Sequence, residues 1–146
     1  MSDNESIARW TSVMYRYAQI YLNRELKPYN IGAGQHSILM VLYENNGIAQ
    51  EDITNTLHLD KGTIAKTIKK LVEQGYIIRK KNIDDRRAYK IFLTKKARNI
   101  RGDLIRILSR WTDIISTGFT ENEREITFGL FGRMAHNAWS FLMRSN

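Results

Sequence analysis

Between Asp60 and Leu93 the apolar residues change their period, and that change fixes two successive elements. Ile64, Ile68 and Leu71, with Val72 beside them, recur at three- and four-residue steps, the spacing of one helical face. Asp60 stands where an N-cap belongs, and Gly75 where a helix exits through a left-handed residue. Beyond Gly75 the period falls to two. Tyr89, Ile91 and Leu93 alternate with Ala88, Lys90 and Phe92, and 76–81 makes a partner strand. The residues between, Asn82-Ile-Asp-Asp-Arg-Arg87, form a polar hairpin tip. With Ile64 at 0° and about 100° per residue, Lys66, Lys70, Thr63 and Thr67 fall at roughly 200°, 240°, 260° and 300°. Two ammoniums and two hydroxyls therefore share the face opposite the buried stripe.

The flanking chain reads as helices. Residues 7–26 carry Ile7, Trp10, Val13, Met14, Tyr17, Ile20, Tyr21 and Leu22, an apolar arc too wide for one core face. The single proline, Pro28, lies in a loop that ends at Gly34. A second helix is expected over about 35–44, stopped by Asn45-Asn46-Gly47, and a third over about 50–57 with Ile53 and Leu57 inward. His58-Leu59 turns the chain into the helix capped by Asp60. Thr94 opens one long helix with Ala97, Ile100, Leu104, Ile107, Trp111 and Ile114 at alternating steps of three and four. Gly118 ends it, and Thr120-Glu-Asn-Glu123 is a capping box for a last helix to about Met143. Two short helices, a tight turn and a basic hairpin in series are a winged helix-turn-helix. The expected fold class is mainly α with a small β-wing (α+β), in one domain of 146 residues. Helices within 1–33 and 95–146 flank a winged-helix lobe at 34–94.

Charge points to the partner. The chain carries a formal +8. Residues 61–110 hold 16 Lys and Arg against four acids, or +12, while the remainder holds seven against 11, or −4. A general surface bias would not stop at segment borders, so the basic block marks an anionic partner, double-stranded DNA. Arg79 and the tip arginines Arg86 and Arg87 put charge on the hairpin, where an arginine can enter the strong negative potential of a narrow minor groove. Asp84 and Asp85 weaken phosphate attraction, so one of them orients an arginine or closes the turn.

Other chemistries are absent from the sequence. Zero cysteines exclude disulfides, thiolate metal sites and thiol redox sensing. The three histidines, His36, His58 and His136, form no spaced cluster with carboxylates, so no metal is expected. There is no P-loop, no G-x-S-x-G and no paired-carboxylate arrangement, so neither an enzyme nor a cofactor is expected. No leader-like segment and no membrane-length apolar run occurs, which predicts a soluble cytoplasmic protein with no membrane partner.

The stretch Asp85-Arg-Arg-Ala-Tyr-Lys-Ile-Phe-Leu-Thr94 is similar to the D-x-R, hydrophobic strand and L-T signature of the MarR (multiple antibiotic resistance regulator) family. Leu57 to Arg79 resembles that family's recognition helix and its exit, and the motif-bearing match spans about Ile48 to Ala97. The resemblance implies a homodimer, with residues 1–33 and 95–146 as dimerisation helices around a DNA-binding lobe at 34–94, on a pseudo-palindromic operator, acting as a repressor. It also implies that Thr63, Lys66 and Thr67 face bases and that Lys61 and Lys70 face phosphates. Arg87 would enter the minor groove, held by Asp85, with Arg86 on a phosphate. One departure is Gly62, where the family often has serine. The resemblance further implies release of DNA by a small aromatic acid in a crevice, for which Tyr15, Arg16, Tyr29, His36, Tyr43 and Trp111 supply aromatic walls and a cation. The competing readings are a winged-helix protein-interaction module, whose basic groove would fit an acidic partner, and a non-specific architectural DNA-binding protein.

Overall fold

Local signals at each joint set the order of elements. The computed structural model describes residues 6–85 and 88–144. Helix α1 (Ile7–Leu26) passes through a 3₁₀ turn at Lys27–Tyr29 into a loop and α2 (His36–Glu44). Then come β1 (Ile48–Ala49), α3 (Gln50–Leu57), α4 (Lys61–Glu73), β2 (Ile77–Lys81) and β3 (Tyr89–Leu93). Helices α5 (Lys95–Asn99), α6 (Arg101–Ile115) and α7 (Glu121–Arg144) follow. The expected winged helix-turn-helix, mainly helical with a small antiparallel sheet, is what the chain forms.

The chain divides into two compact units, with the boundary between Ser109 and Arg110. In the first, Leu26, Ile38, Leu39, Leu42, Ile53, Ile64, Ile68, Leu71, Tyr76, Ile77, Ile91 and Leu104 are fully buried. Helices α2 and α4 give this core a stripe each, β3 gives it the alternate residues Ile91 and Leu93, and α3 and β2 add Ile53 and Ile77. The Tyr21 hydroxyl donates to the Ile107 carbonyl at 2.9 Å, tying α1 to α6 inside the core. In the second unit the capping box forms as expected. The Thr120 N–H donates to Glu123 Oε2 at 2.7 Å, and the Glu123 N–H to Thr120 Oγ1 at 3.2 Å. Arg124 pairs with Asp113 at 2.8 Å across the turn at Gly118.

Three features differ from the sequence expectation. The wing has a third strand, since β1 pairs antiparallel with β3 through Ile48↔Ile91 and Ala49↔Lys90. Two residues are too few to show an alternation, so periodicity gave no sign of it. Val72, expected on the inward stripe of α4, is 37% exposed; it lies at the stripe's edge, about 80° from Ile64. The long helix expected from Thr94 is broken at Ile100. The Ala97 carbonyl accepts the Ile100 N–H at 3.3 Å and the Tyr43 hydroxyl at 2.6 Å, and that tightened turn separates α5 from α6.

Candidate nucleic-acid interface

Helix α4 is held from both ends and underneath. At its start, both oxygens of the Asp60 carboxylate engage Thr63: Oδ1 accepts the backbone N–H at 2.8 Å and Oδ2 accepts the hydroxyl at 2.6 Å. The Thr63 hydroxyl and N–H hold the Asp60 carboxyl below its ordinary range, so the cap is a carboxylate at neutral pH. Beneath, Ile64, Ile68 and Leu71 are wholly buried. At the exit, Gly75 takes φ +77, a left-handed conformation that L side chains rarely adopt. Lys96 reaches back from α5 to donate to the Gln74 carbonyl at 2.7 Å, placing a cation at the negative end of the helix dipole.

A polar latch joins that exit to the loop after α1. Gln35, the single buried polar residue among those described, donates its amide to Gln74 Oε1 at 2.7 Å and accepts the Gly32 N–H at 2.7 Å. The Gln74 amide in turn donates to the Asn30 carbonyl. Thr94 closes the other side, its hydroxyl donating at 2.7 Å to the Gly75 carbonyl, with the Tyr76 carbonyl at 3.0 Å. Gln35, Gln74 and Lys96 thus set where α4 ends. Sequence reasoning missed them because the partners that join them to other elements lie 22 to 44 residues away, and an isolated glutamine carries no pattern.

With its inner stripe buried, α4 turns Lys61, Thr63, Lys66 and Lys70 to the surface, and Thr67 is half-buried beside them. Lys66 and Lys70 stand exposed on one helix face and Lys61 is exposed at the helix start; cations so placed on a rigid base are the arrangement that meets a polyanion. The hydroxyls are engaged within the helix: Thr63 donates to Asp60, and Thr67 donates to the Thr63 carbonyl at 2.8 Å. At Gly62 a Cβ would stand 3.2 Å from Asp60 Oδ1. A side chain there would require the Asp60 carboxylate to give by a few tenths of an ångström.

The wing continues the positive surface. The strands pair in the register Ile77↔Leu93, Arg79↔Ile91, Lys80↔Lys90 and Lys81↔Tyr89. Arg79, Lys80, Lys81 and Lys90 are exposed. The Arg79 guanidinium lies 4.1 Å from the centre of the Tyr89 ring, and Lys80 lies 5.2 Å from that of Phe92. Those rings hold the cations along the ribbon. Asp85 closes the tip through its backbone, its carbonyl accepting the Ala88 N–H at 3.0 Å. A cavity of about 340 Å³, lined in part by Gln50, Glu51, Lys61, Asp85 and Tyr89, brings the start of α4 beside the wing. Ile83, near the tip, is 96% exposed. Arg86 and Arg87, expected at the DNA, lie outside the described residues.

The six residues expected to line an effector crevice have varied surroundings. Tyr15 and Arg16 are exposed on α1. The Tyr29 hydroxyl bonds the Asp103 carboxylate, which raises the Tyr29 pKa and lowers that of Asp103. The half-buried His36 directs Nδ1 at the Ala33 carbonyl, and burial lowers its pKa. Tyr43 donates to Ala97, and burial pushes its phenol up to about 12. Trp111 belongs to the second unit.

Comparison with known proteins agrees with this geometry. A sequence model described as the MarR family matches residues 31–89. An uncharacterized HTH-type transcriptional regulator of Bacillus subtilis (strain 168), YybA, is 30% identical over 143 residues, 96% of this chain and 95% of its own length. The crystal structure of a MarR transcriptional regulator from Methanosarcina mazei Go1 is 38% identical, with a TM-score of 0.86 over 92% of this chain and 97% of that one. A MarR family regulator from Listeria monocytogenes, crystallised with a 26mer DNA, is 28% identical, with a TM-score of 0.87 over 97% of each chain.

Proposed function

Since this chain belongs to the MarR family and is a transcriptional regulator, not an enzyme, we propose that it acts as a homodimeric, ligand-responsive repressor on a pseudo-palindromic operator. Each protomer lays α4 in a major groove and its wing along the backbone toward the adjacent minor groove. The observation that carries this reading is the exposed face of Lys66 and Lys70, with Lys61 exposed at the helix start, on a helix whose inner stripe of Ile64, Ile68 and Leu71 is wholly buried. On this reading Lys61 and Lys70 meet phosphates, Lys66, Thr63 and Thr67 meet bases, and Arg79 meets the backbone. Arg86 and Arg87 reach DNA from the tip, with Asp85 orienting Arg87.

A second copy of the chain is supported by what the helices leave uncovered. Trp10 is 55% exposed on α1; on α7 Phe128 is 64% and Phe141 71% exposed, and no residue of α7 is buried. Apolar surface of this kind marks an association site. The proposed effector is a small aromatic acid that favours a spacing of recognition helices unlike that of the operator. Tyr29, His36 and Tyr43 already have polar partners, so they offer it ring surface, and Arg16 is the cation for its carboxylate.

The test is selection of bound duplexes from random DNA, with particle mass measured in parallel. The expected outcome is a two-fold symmetric sequence with half-sites about one helical turn apart, bound by a dimer and released by salicylate-type acids. Uniform recovery of all sequences favours an architectural protein; no recovery favours a protein-interaction module. Unchanged binding across a panel of such acids removes the effector proposal alone.

A further inference from the structure

We infer that Thr63 and Thr67 meet the operator through their methyl groups, as readers of thymine, and not as hydroxyl donors to guanine or phosphate. The inference rests on the reading of α4 as the major-groove helix and deepens it.

A threonine offers a base edge either a hydroxyl proton, an oxygen lone pair or a methyl group. At Thr63 the proton is committed. Its hydroxyl donates at 2.6 Å to an ionised carboxylate, a charge-assisted bond stronger than one between neutral groups, and the same carboxylate holds the Thr63 N–H at 2.8 Å. Turning the hydroxyl toward DNA would break the cap of the helix that has to enter the groove. The Thr67 proton is committed to the Thr63 carbonyl one turn below, at 2.8 Å. Each bond also fixes χ1, because the oxygen on Cβ is anchored. The remaining Cβ substituent is a methyl held in one orientation by the helix itself.

The neighbours fit this division of labour. Gly62 adds no side chain beside Thr63, so nothing projects beyond that methyl from the preceding position. The charged donors on the face are Lys66 and Lys70, with Lys61 at the helix start. Guanine and phosphate, which present acceptors, are met by ammoniums, while the threonines, their protons spent within the helix, present anchored methyls to the apolar edge that thymine shows in the major groove.

The test begins with the duplex recovered from random DNA and replaces each thymine in turn by uracil, which removes only the C5 methyl. Thr63→Ser is the matching protein change, since serine keeps the hydroxyl and its bond to Asp60 and deletes only the threonine methyl. Each change alone is expected to weaken binding about four-fold, the effect of about one buried methyl group. Combined at the thymine that faces Thr63, they are expected to weaken it no further than either alone. Thr67→Ser behaves the same way at its own thymine, whereas Thr67→Val, which keeps a methyl and removes the hydroxyl, retains affinity. A selected operator whose uracil forms all bind as tightly as the parent overturns the inference and leaves the DNA reading standing. So does strict additivity of Thr63→Ser with every uracil, or a loss in Thr67→Val equal to that in Thr67→Ser. Failure to select any sequence overturns both.

Discussion

Gly47 sits where the wing's third strand begins, and replacing it by alanine tests how that strand is held. Its φ is +82, and a Cβ built there would lie 2.7 Å from Cε1 of Phe92, with two more ring carbons at 3.3 Å. The Gly47 N–H donates to the Ile91 carbonyl at 2.9 Å, and Asn46 Oδ1 accepts the Leu93 N–H at 2.8 Å, so the turn cannot swing away without breaking its pairing to β3. Left-handed backbone costs an alanine about 1–2 kcal/mol, and forcing a methyl against a packed ring costs about 1–3 kcal/mol. Taken together, roughly 2–5 kcal/mol is expected for Gly47→Ala, against a total stability of about 5–15 kcal/mol for a domain. For a chain of this length that lowers the melting temperature by roughly 6–15 °C. The assay is thermal unfolding followed by circular dichroism. Gly102→Ala serves as the opposite control: a Cβ at Gly102, on α6, meets nothing within 4 Å, and alanine there is expected to stabilise by about 1 kcal/mol. A Gly47→Ala protein that melts with or above the wild type would refute the account of the β1–β3 turn.

Further outcomes follow from the same structure. Lys66→Ala is expected to relax base preference at one operator position by about 1–3 kcal/mol; an unchanged preference with a shallower salt slope would assign Lys66 to a phosphate. Tyr43→Phe removes the hydroxyl that bonds the Ala97 carbonyl and is expected to cost about 1 kcal/mol in denaturant unfolding; no change would mean that the bond carries no net stability. Burial holds the His36 imidazole below its usual value of 6.5, so the unfolded chain takes up the proton first as pH falls. His36's contribution is therefore complete above about 6.5 and declines as pH drops through the depressed folded value. The melting temperature is expected to fall between pH 7.5 and pH 5.5, less steeply in His36→Gln, and an equal fall in both proteins would contradict it.

How far the sequence reveals the fold depends on how far apart the interacting groups lie. Helix α4 is legible because every signal is local: a stripe at helical steps, an Asp at the N-cap and a Gly at the exit, three to fifteen residues apart. The capping box at Thr120 and Glu123 is legible for the same reason. The break at Ile100 is not, because the phenol that engages the Ala97 carbonyl in that turn lies 54 residues upstream of it. The latch from Gln35 to Gln74 spans 39 residues and joins two side chains of a type common on surfaces. The charge on the interface could be counted from composition alone. The loss of both threonine protons to the helix could not, since spacing shows which face a hydroxyl is on and not where its hydrogen goes.

The face of α4 as a duplex-binding surface is tested most directly by the salt dependence of affinity for the selected operator. Wild-type protein is expected to show a steep linear fall of log K with log salt, about 0.9 per neutralised phosphate. Lys61→Ala combined with Lys70→Ala is expected to make that slope shallower by about two per protomer, with the helix content unchanged. A flat slope in the wild type, or the same slope in the double variant, would contradict the assignment.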